Sequence, residues 1–495
     1  MSGTSTAGLA EAARKVLAGL DGKQLANKDR MAIPAQDMPC QEPGIRAHNM
    51  DEVALGYTEA QARVEAARCL QCKNAPCVPG CPVSIDIPGF VGLVASGDYH
   101  GAAEVIRKTN LLPAICGRVC PQEKQCQAPC TLGKALKGVE RAVQIGRLER
   151  YVADRERASG GTPIPHVAPP TGKRVAVIGA GPAGLTVAAE VRREGHEVVI
   201  FEAFQKPGGV MVYGIPEFRL PKAIVREEAD KLERMGVRFE LNTLIGRTIP
   251  LPALLQEDGF DAAFVGVGAG LPKFMDIPGE NFVGVFSANE YLTRCNMMRA
   301  WDRERASTPI YPSKRVAVLG GGNVAMDSAR MALRLGAEEV RVLYRRTREE
   351  MPARAEEVEH AMEEGIVFDF LSSPTEVLGN DKGVVTGLRV MSYRLGDPDE
   401  SGRRSPVAID GSEHEVHFDT VIVAVGNESN PLIAKTTPGL NVDRKSHVLV
   451  DASQKTSLDA VWAGGDIVLG AATVILAMGE GRRAAAAINE YLGKK

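Results

Sequence analysis

Residues 175–202 read VAVIGAGPAGLTVAAEVRREGHEVVIFE. The apolar run Val175-Ala176-Val177-Ile178 leads into Gly179, Gly181 and Gly184, which stand in the spacing G-x-G-x-x-G. A short continuous apolar run bounded by glycine suits a fully buried strand. Gly179 permits a tight turn, Gly181 lets backbone approach a pyrophosphate, and Gly184 lets the following helix pack on the strand. Free N–H groups and the helix dipole favour an anion where that helix begins. The second strand closes on Glu202, where an acid can bond a ribose hydroxyl. Strand, turn, helix, strand and acid in this order predict a dinucleotide site built from Gly179, Ala180, Gly181, Pro182, Ala183, Gly184 and Glu202. A flexible Gly-Ala loop is the bland alternative, and it leaves Glu202 without a role.

A chain of 495 residues suggests about three domains. Its hydrophobic content of 44% and charged content of 24% are those of a globular protein. A net charge of −3 and an aromatic content of 5% argue against a basic field or a base-stacking surface, so no nucleic acid is expected. No apolar run reaches the roughly 18 residues of a membrane span. The first residues, MSGTSTAGLAEAARKVLAGL, lack a basic segment followed by an apolar core, so a secretory leader is not expected. Eight of the ten cysteines fall between Cys69 and Cys130; only Cys40 and Cys295 lie outside. That crowding suggests metal or cluster chemistry in a reducing cytoplasm instead of disulfides.

Around the dinucleotide stretch the chain divides readily. Residues 9–20 suit a short amphipathic helix, and the proline-containing residues 31–44 read as extended. Residues 58–70 read as helical, with Thr58 as N-cap and Gln61 three residues on. Helices are expected near 87–96, 99–109 and 134–155. Residues 158–170, ASGGTPIPHVAPP, look like a linker. A β-α-β pattern starts at Lys173 and runs to an apolar strand at 262–267. A second copy starts at Lys314, with strands at 315–319, 339–344 and 421–425. The stretch 460–466, AVWAGGD, and the helix after it would return to complete the first unit, so the second unit is inserted in the first.

The cysteines form two halves, Cys69-x2-Cys72-x4-Cys77-x3-Cys81-Pro82 and Cys116-x3-Cys120-Pro121-x4-Cys126-x3-Cys130. Thiolates so spaced bind iron–sulfur clusters, and in two-cluster ferredoxins the cysteine of a closing Cys-Pro ligates the other cluster. By that logic Cys69, Cys72 and Cys77 share one cluster and Cys81 belongs to a second. Zinc is the competing reading, because Cys69-x2-Cys72 alone is a common zinc pair. Spacing leaves open whether all eight are ligands; Cys116 also suits a buried small hydrophobe.

In the second unit Gly320, Gly322 and Ala325 form G-x-G-x-x-A. The strand after it ends at Tyr344 and is followed by Arg345 and Arg346, not by an acid. Arginines there suit a 2′-phosphate through charge-assisted bonds, which predicts NADP. A solvated Arg-Glu face over 345–354 is the alternative, and it can hold for Arg348 without touching Arg345. The first site ends in an acid and the chain carries a late Gly465-Asp466, which assigns FAD to the first site and NADP(H) to the second.

The motifs RCLQCKNAPCVPGCPVSIDIPGF, LPAICGRVCPQEKQC, GAGPAGL, YGIPEFRLPK, GGGNVAMD, YRRTREEMPA and WAGGD resemble the flavin/iron–sulfur proteins of the glutamate synthase small-subunit type, over about residues 40–490. Within that family the cysteine wording is closest to the large subunit of NADH-dependent ferredoxin:NADP oxidoreductase. The resemblance implies a mostly α-helical N-terminal domain with two [4Fe-4S] clusters (1–157), a linker (158–172), an FAD-binding Rossmann-like domain in two parts (173–300 and 428–495) and an inserted NADP(H)-binding domain (301–427). It implies one cluster on Cys69, Cys72, Cys77 and Cys130, and another on Cys81, Cys120, Cys126 and Glu149, with Cys116 a bystander. A solvated helix acid is the alternative for Glu149. FAD contacts are implied for Glu202 through Gly209 and Val210, and for Arg219, Gly465, Asp466 and Thr473. NADPH contacts are implied for Asn323, Val324, Arg345, Arg346 and Gly426.

The function so implied is electron transfer between NADP(H), FAD and the clusters, with no side chain acting as acid or base. The expected partners are a small flavin/[2Fe-2S] subunit and ferredoxin, with electron bifurcation at the flavin, or a hydrogenase-type assembly. The other reading within the family is a glutamate synthase small subunit feeding a large amidotransferase subunit. A binding module that only senses NADP(H) is a third reading from a different class.

Overall fold

The computed structural model describes residues 6–20, 22–400 and 402–493. The expectation about a leader reaches into residues 1–5, which lie outside the described residues.

Strand Arg174–Ile178 is buried from Val175 onward and forms the centre of a five-stranded parallel sheet. On one side lie Glu197–Phe201 and Arg238–Glu240; on the other lie Ala262–Val265 and Val461–Ala463. Parallel strands covered on both faces read as continuous apolar runs, which is why VAVI and AAFV were legible as strands. Helix Pro182–Arg193 packs directly against the C-terminal helix Val474–Gly493, and both lie against this sheet. A second five-stranded parallel sheet repeats the order, with Val285–Ser287, Thr420–Val423, Arg315–Leu319, Glu339–Tyr344 and Val367–Phe370.

The insertion is visible in the pairing. Val461–Ala463, which follows the second sheet in the chain, pairs with Ala262–Val265, which precedes it. The two crossing segments, Leu271–Pro272 and Asn427–Glu428, pair antiparallel. Strand Val285–Ser287 pairs with Val421–Val423, so the chain before residue 300 already belongs to the inserted sheet. The division expected at 300/301 is therefore shifted toward the crossing segments. Three residues on a sheet edge, two of them half-buried, carry no periodic signal that could have placed them. An antiparallel wing, Ser372–Gly379 and Val385–Pro398 with Arg404–Ala408 and His414–His417, was not foreseen. Its Val377, Leu388 and Val390 share a core with Ala317, Leu319 and Val423 of the inserted sheet.

The N-terminal unit is helical. Helix Glu59–Ala67 starts on the expected capping box: Gln61 N donates to Thr58 Oγ1 at 3.4 Å and Thr58 N donates to Gln61 Oε1 at 3.1 Å. Helices Ile87–Ser96 and Tyr99–Arg107 stand where expected. The single helix expected over 134–155 is broken into Thr131–Ala135, a turn at Val139–Arg141 and Ile145–Ala158. The buried pair Arg68–Glu65 holds the break open. Arg68 donates to the carbonyls of Arg141 and Ala142 at 2.6 and 3.1 Å, and Glu65 accepts from Gln144 N at 2.9 Å. These bonds need non-helical backbone, so tertiary contact overrides local propensity. The N-terminal unit and the first sheet share one continuous core, in which Ile115, Cys116 and Leu148 join Leu185 and Met478.

Candidate functional site

The first glycine turn is built tightly on its inner side and left open on its outer side. Gly179 has φ 101°, and a Cβ there would strike the Gly266 carbonyl. A Cβ on Gly181 would meet nothing within 4 Å. Backbone approached by a ligand needs that opening, so the turn fits a pyrophosphate. Glu202 is buried and grips the turn, accepting from Ala180 N at 2.8 Å and from Phe204 N at 2.9 Å. Burial pushes its carboxyl upward, and the backbone donors oppose that.

Other expected flavin residues gather at the same turn. A Cβ on Gly209 would lie 2.8 Å from Gly181 Cα, and one on Gly465 would lie 3.1 Å from Ala183 Cβ. Gly465 N donates to Glu480 Oε2 at 2.7 Å. Burial raises the Asp466 carboxyl to about 6. Thr473 Oγ1 accepts from Gln125 Nε2, in the cysteine block, at 3.3 Å. Val210 opens the short helix Val210–Tyr213 beside them. Arg219, expected as a flavin contact, is also paired with the inserted unit. It is buried, with Nη1 2.6 Å from both Asp327 oxygens and Nε 3.3 Å from Glu357 Oε1, so it binds the inserted unit.

The second turn has the same plan. A Cβ on Gly320 would strike the Ala424 carbonyl, while Gly322 faces open space out to Pro352 at 4.0 Å. Ala325 is buried in the helix behind the turn, and Val324 is exposed beside it. Asn323 Oδ1 accepts from Arg354 N at 2.9 Å. Gly426, with φ 111°, also faces open space. Gly320 N donates to Leu343 O at 3.1 Å, which sets the end of the 339–344 strand beside the turn. The two arginines after that strand part company. Arg345 is exposed. Arg346, also expected at the nucleotide, is buried and engaged by the wing, bonding Asp399 Oδ2 at 2.6 Å and Arg404 O at 2.7 Å. Arg348 is exposed and pairs with Glu359 at 3.3 Å, as a solvated face would.

Cys69, Cys72, Cys77 and Cys130 line one pocket together with Pro76, Pro88, Leu132 and Val143. Cys72 is partly exposed; the other three are buried. Burial and the neighbouring thiols push Cys77 up to about 12. Glu149, expected with the second group, is buried on helix Ile145–Ala158. Its charge raises Cys81, Cys120 and Cys126, after burial in each case and, for Cys120, after a hydrogen bond with Cys116. Burial raises Glu149 itself to about 8. Thiols whose ionisation is suppressed by burial and by a neighbouring carboxyl are a donor set short of positive charge, which bound metal supplies. Among the described residues, no group of three His, Cys, Asp or Glu side chains is disposed to hold a single metal ion. Four thiols around a pocket suit a cluster in which each iron takes one ligand.

Comparisons with known proteins agree with this layout. Residues 46–161 match the family described as dihydropyrimidine dehydrogenase domain II, 4Fe-4S cluster. Residues 173–489 match the pyridine nucleotide-disulphide oxidoreductase family. A glutamate synthase [NADPH] small chain from Halomonas elongata is 39% identical, covering 93% of this chain and 97% of its own length. The NADP(+)-dependent formate dehydrogenase subunit beta of Moorella thermoacetica is 37% identical, over 85% of this chain and 60% of that protein. Mycobacterium tuberculosis FprA in complex with NADPH superposes with a TM-score of 0.55 at 20% identity, over 66% of this chain and 85% of that one, which shows the fold.

A 4Fe-4S domain joined to this two-dinucleotide fold defines an NADPH-dependent FAD/iron–sulfur oxidoreductase. Within that class, the chain belongs to the glutamate synthase small-subunit family of electron-transfer proteins. Sequence reasoning had missed Asn110, Gln125 and Arg354. Gln125 stands between Cys120 and Cys126, and that position alone could have drawn notice. Asn110 carries no motif, and Arg354 closes the 345–354 stretch read as a solvated face, whereas the structure buries it.

Proposed function

We infer that this chain carries electrons between NADP(H) and a partner protein, with FAD at the first turn, NADP(H) at the second and two [4Fe-4S] clusters on the cysteine groups. One observation supports the relay above others: the second cysteine group abuts the FAD domain. A Cβ on Gly479, in the C-terminal helix, would lie 2.9 Å from the carbonyl of Pro82, next to Cys81. Gln125 reaches Thr473 from the same side. When bound, the nicotinamide supplies a hydride, the flavin holds the electron pair and the clusters carry single electrons.

The residues have separate tasks. Cys69, Cys72, Cys77 and Cys130 hold the outer cluster; Cys81, Cys120, Cys126 and Glu149 hold the inner one. Glu202, Gly465 and Asp466 hold the flavin nucleotide, and Arg345 reads the 2′-phosphate. Arg354 ties the second turn to the cysteine unit, donating to Arg118 O at 2.9 Å and Gln122 Oε1 at 3.2 Å. Met478 and Cys116 fill the space between cysteine unit and FAD domain and keep water out.

Two partner assemblies fit. The likeness to glutamate synthase small chains over almost their full length supports delivery to a large amidotransferase chain. The cysteine wording CKNAPCVPGCPV and AICGRVCPQE supports a ferredoxin:NADP oxidoreductase assembly, with bifurcation between ferredoxin and a small flavin/[2Fe-2S] subunit. Anaerobic purification from native cells with partners attached separates them by what co-purifies. NADPH oxidation by the isolated holoprotein with an artificial acceptor tests the relay itself. Tight NADPH binding without turnover would leave only a sensor.

A further inference from the structure

Glu149 is proposed above as a ligand of the inner cluster, and the inference here rests on that reading. We propose that Asn110 is the positioning residue that turns one oxygen of Glu149 toward Cys81, Cys120 and Cys126. Asn110 is fully buried between helices Tyr99–Arg107 and Pro113–Val119. Its Nδ2 donates to Glu149 Oε1 at 2.5 Å. Its Oδ1 accepts from Leu112 N at 2.9 Å and from Cys116 Sγ at 3.7 Å.

The amide has only one way round. A backbone N–H can only donate, so the side facing Leu112 must be the oxygen and the side facing Glu149 must be the N–H2. That leaves Oε1 engaged and Oε2 as the oxygen left for iron. A Cβ on Gly117 would lie 2.6 Å from Arg150 N, so helices Pro113–Val119 and Ile145–Ala158 touch at backbone and bring Asn110 and Glu149 into reach. A neutral donor suits the place. A lysine or arginine there would neutralise the carboxylate and compete with metal for it, whereas an amide orients it and leaves its charge.

The test uses full-length holoprotein reconstituted anaerobically. The readouts are the electron paramagnetic resonance spectrum after dithionite, iron per chain and the rate of iron loss to a chelator. Asn110→Leu and Asn110→Asp are expected to alter the inner-cluster signal and to speed its iron loss roughly 10–100-fold, the range for lost outer-shell partners. The outer-cluster signal, on Cys69, Cys72, Cys77 and Cys130, should stay as it is and report folding. Asn110→Asp keeps the size and the acceptor for Leu112 N, so it stands in if Asn110→Leu does not fold. Combining Asn110→Asp with Glu149→Gln should restore the signal, because the introduced amide donates to the introduced carboxylate and leaves its oxygen for iron. An unchanged inner signal in Asn110→Asp, with a changed one in Glu149→Ala, overturns the positioning role and leaves the ligand reading standing. An unchanged signal in Glu149→Ala overturns both, and a changed one in Cys116→Ala would then make that sulfur the fourth ligand.

Discussion

Arg345 and Arg346 are adjacent in sequence and opposite in role. Arg345 is exposed past the end of the strand beside the second glycine turn, and Arg346 is locked under the wing by Asp399. A hydrogen bond to a charged group contributes about 1.5–3 kcal/mol. Arg345→Ala should therefore raise the Kd for NADPH about 10–100-fold and leave that for NADH nearly unchanged, as read by titration of the holoprotein with each nucleotide. Arg346→Ala should leave the ratio of the two affinities alone. It strips a partner from Asp399 and from the Arg404 carbonyl, so about 1–3 kcal/mol of stability should go, as read from the urea midpoint. Equal losses of NADPH and NADH in Arg345→Ala would remove the 2′-phosphate role. Pattern reading found both arginines because both follow the strand. Which one faces solvent depends on a wing that the pattern did not contain.

Between elements, one tie is a buried network of charges. Glu364 accepts from Arg46 Nε at 3.0 Å, Arg330 Nη2 at 2.7 Å and Arg334 Nη1 at 2.7 Å. Arg46 comes from the N-terminal unit; Arg330 and Arg334 come from helix Asn323–Arg334. The Phe218 ring lies 3.9 Å from the Arg334 guanidinium and 4.8 Å from that of Arg330, so the FRLPK segment of the first unit closes onto the same helix. Despite the desolvation that opposes it, the arginines hold Glu364 down to about 2 and Glu357 lower still. An unfolded glutamate titrates near 4.3. The network's stabilisation is thus fully present above about pH 4.3 and is lost as pH falls toward 2. The melting temperature should drop through that window. Glu364→Gln should cost about 3–5 kcal/mol at pH 7, because three guanidiniums lose their counter-charge, and its acid decline should be shallower. A variant with the parent's stability at pH 7 would contradict this.

At the scale of the whole molecule, each of the three units touches the other two. Gly479 allows the C-terminal helix to lie against the Pro82 carbonyl. Gly479→Val should push the cysteine unit off that helix. NADPH should then bleach the flavin band of the holoprotein at the parent rate while the cluster band follows more slowly, as read by anaerobic stopped flow. Equal rates at both bands would place the route elsewhere. Lys124 Nζ donates to Pro352 O at 2.8 Å, and Arg147 pairs with Glu356 at 3.5 Å, so the inserted unit is also fixed to the cysteine unit. No described helix is long and apolar enough to cross a membrane.

By itself the sequence determined the two sheets, their glycine turns and the two cysteine-rich runs, because each is written in a local spacing: period, turn chemistry, or Cys-x2-Cys. It also carried the insertion, since one architecture appears twice and its last strand stands alone at 461–463. Only the tertiary structure decided which charged groups are available. Arg219 is taken by Asp327 and Glu357, Arg346 by the wing, and Glu149 is steered by Asn110, 39 positions away in the chain. The same holds for the helix broken between 135 and 145, where Arg68 and Glu65 claim the backbone. Pairings of this kind depend on which distant side chain arrives in a dry place, and there every charge and polar group must find a partner. Local spacing carries no record of that.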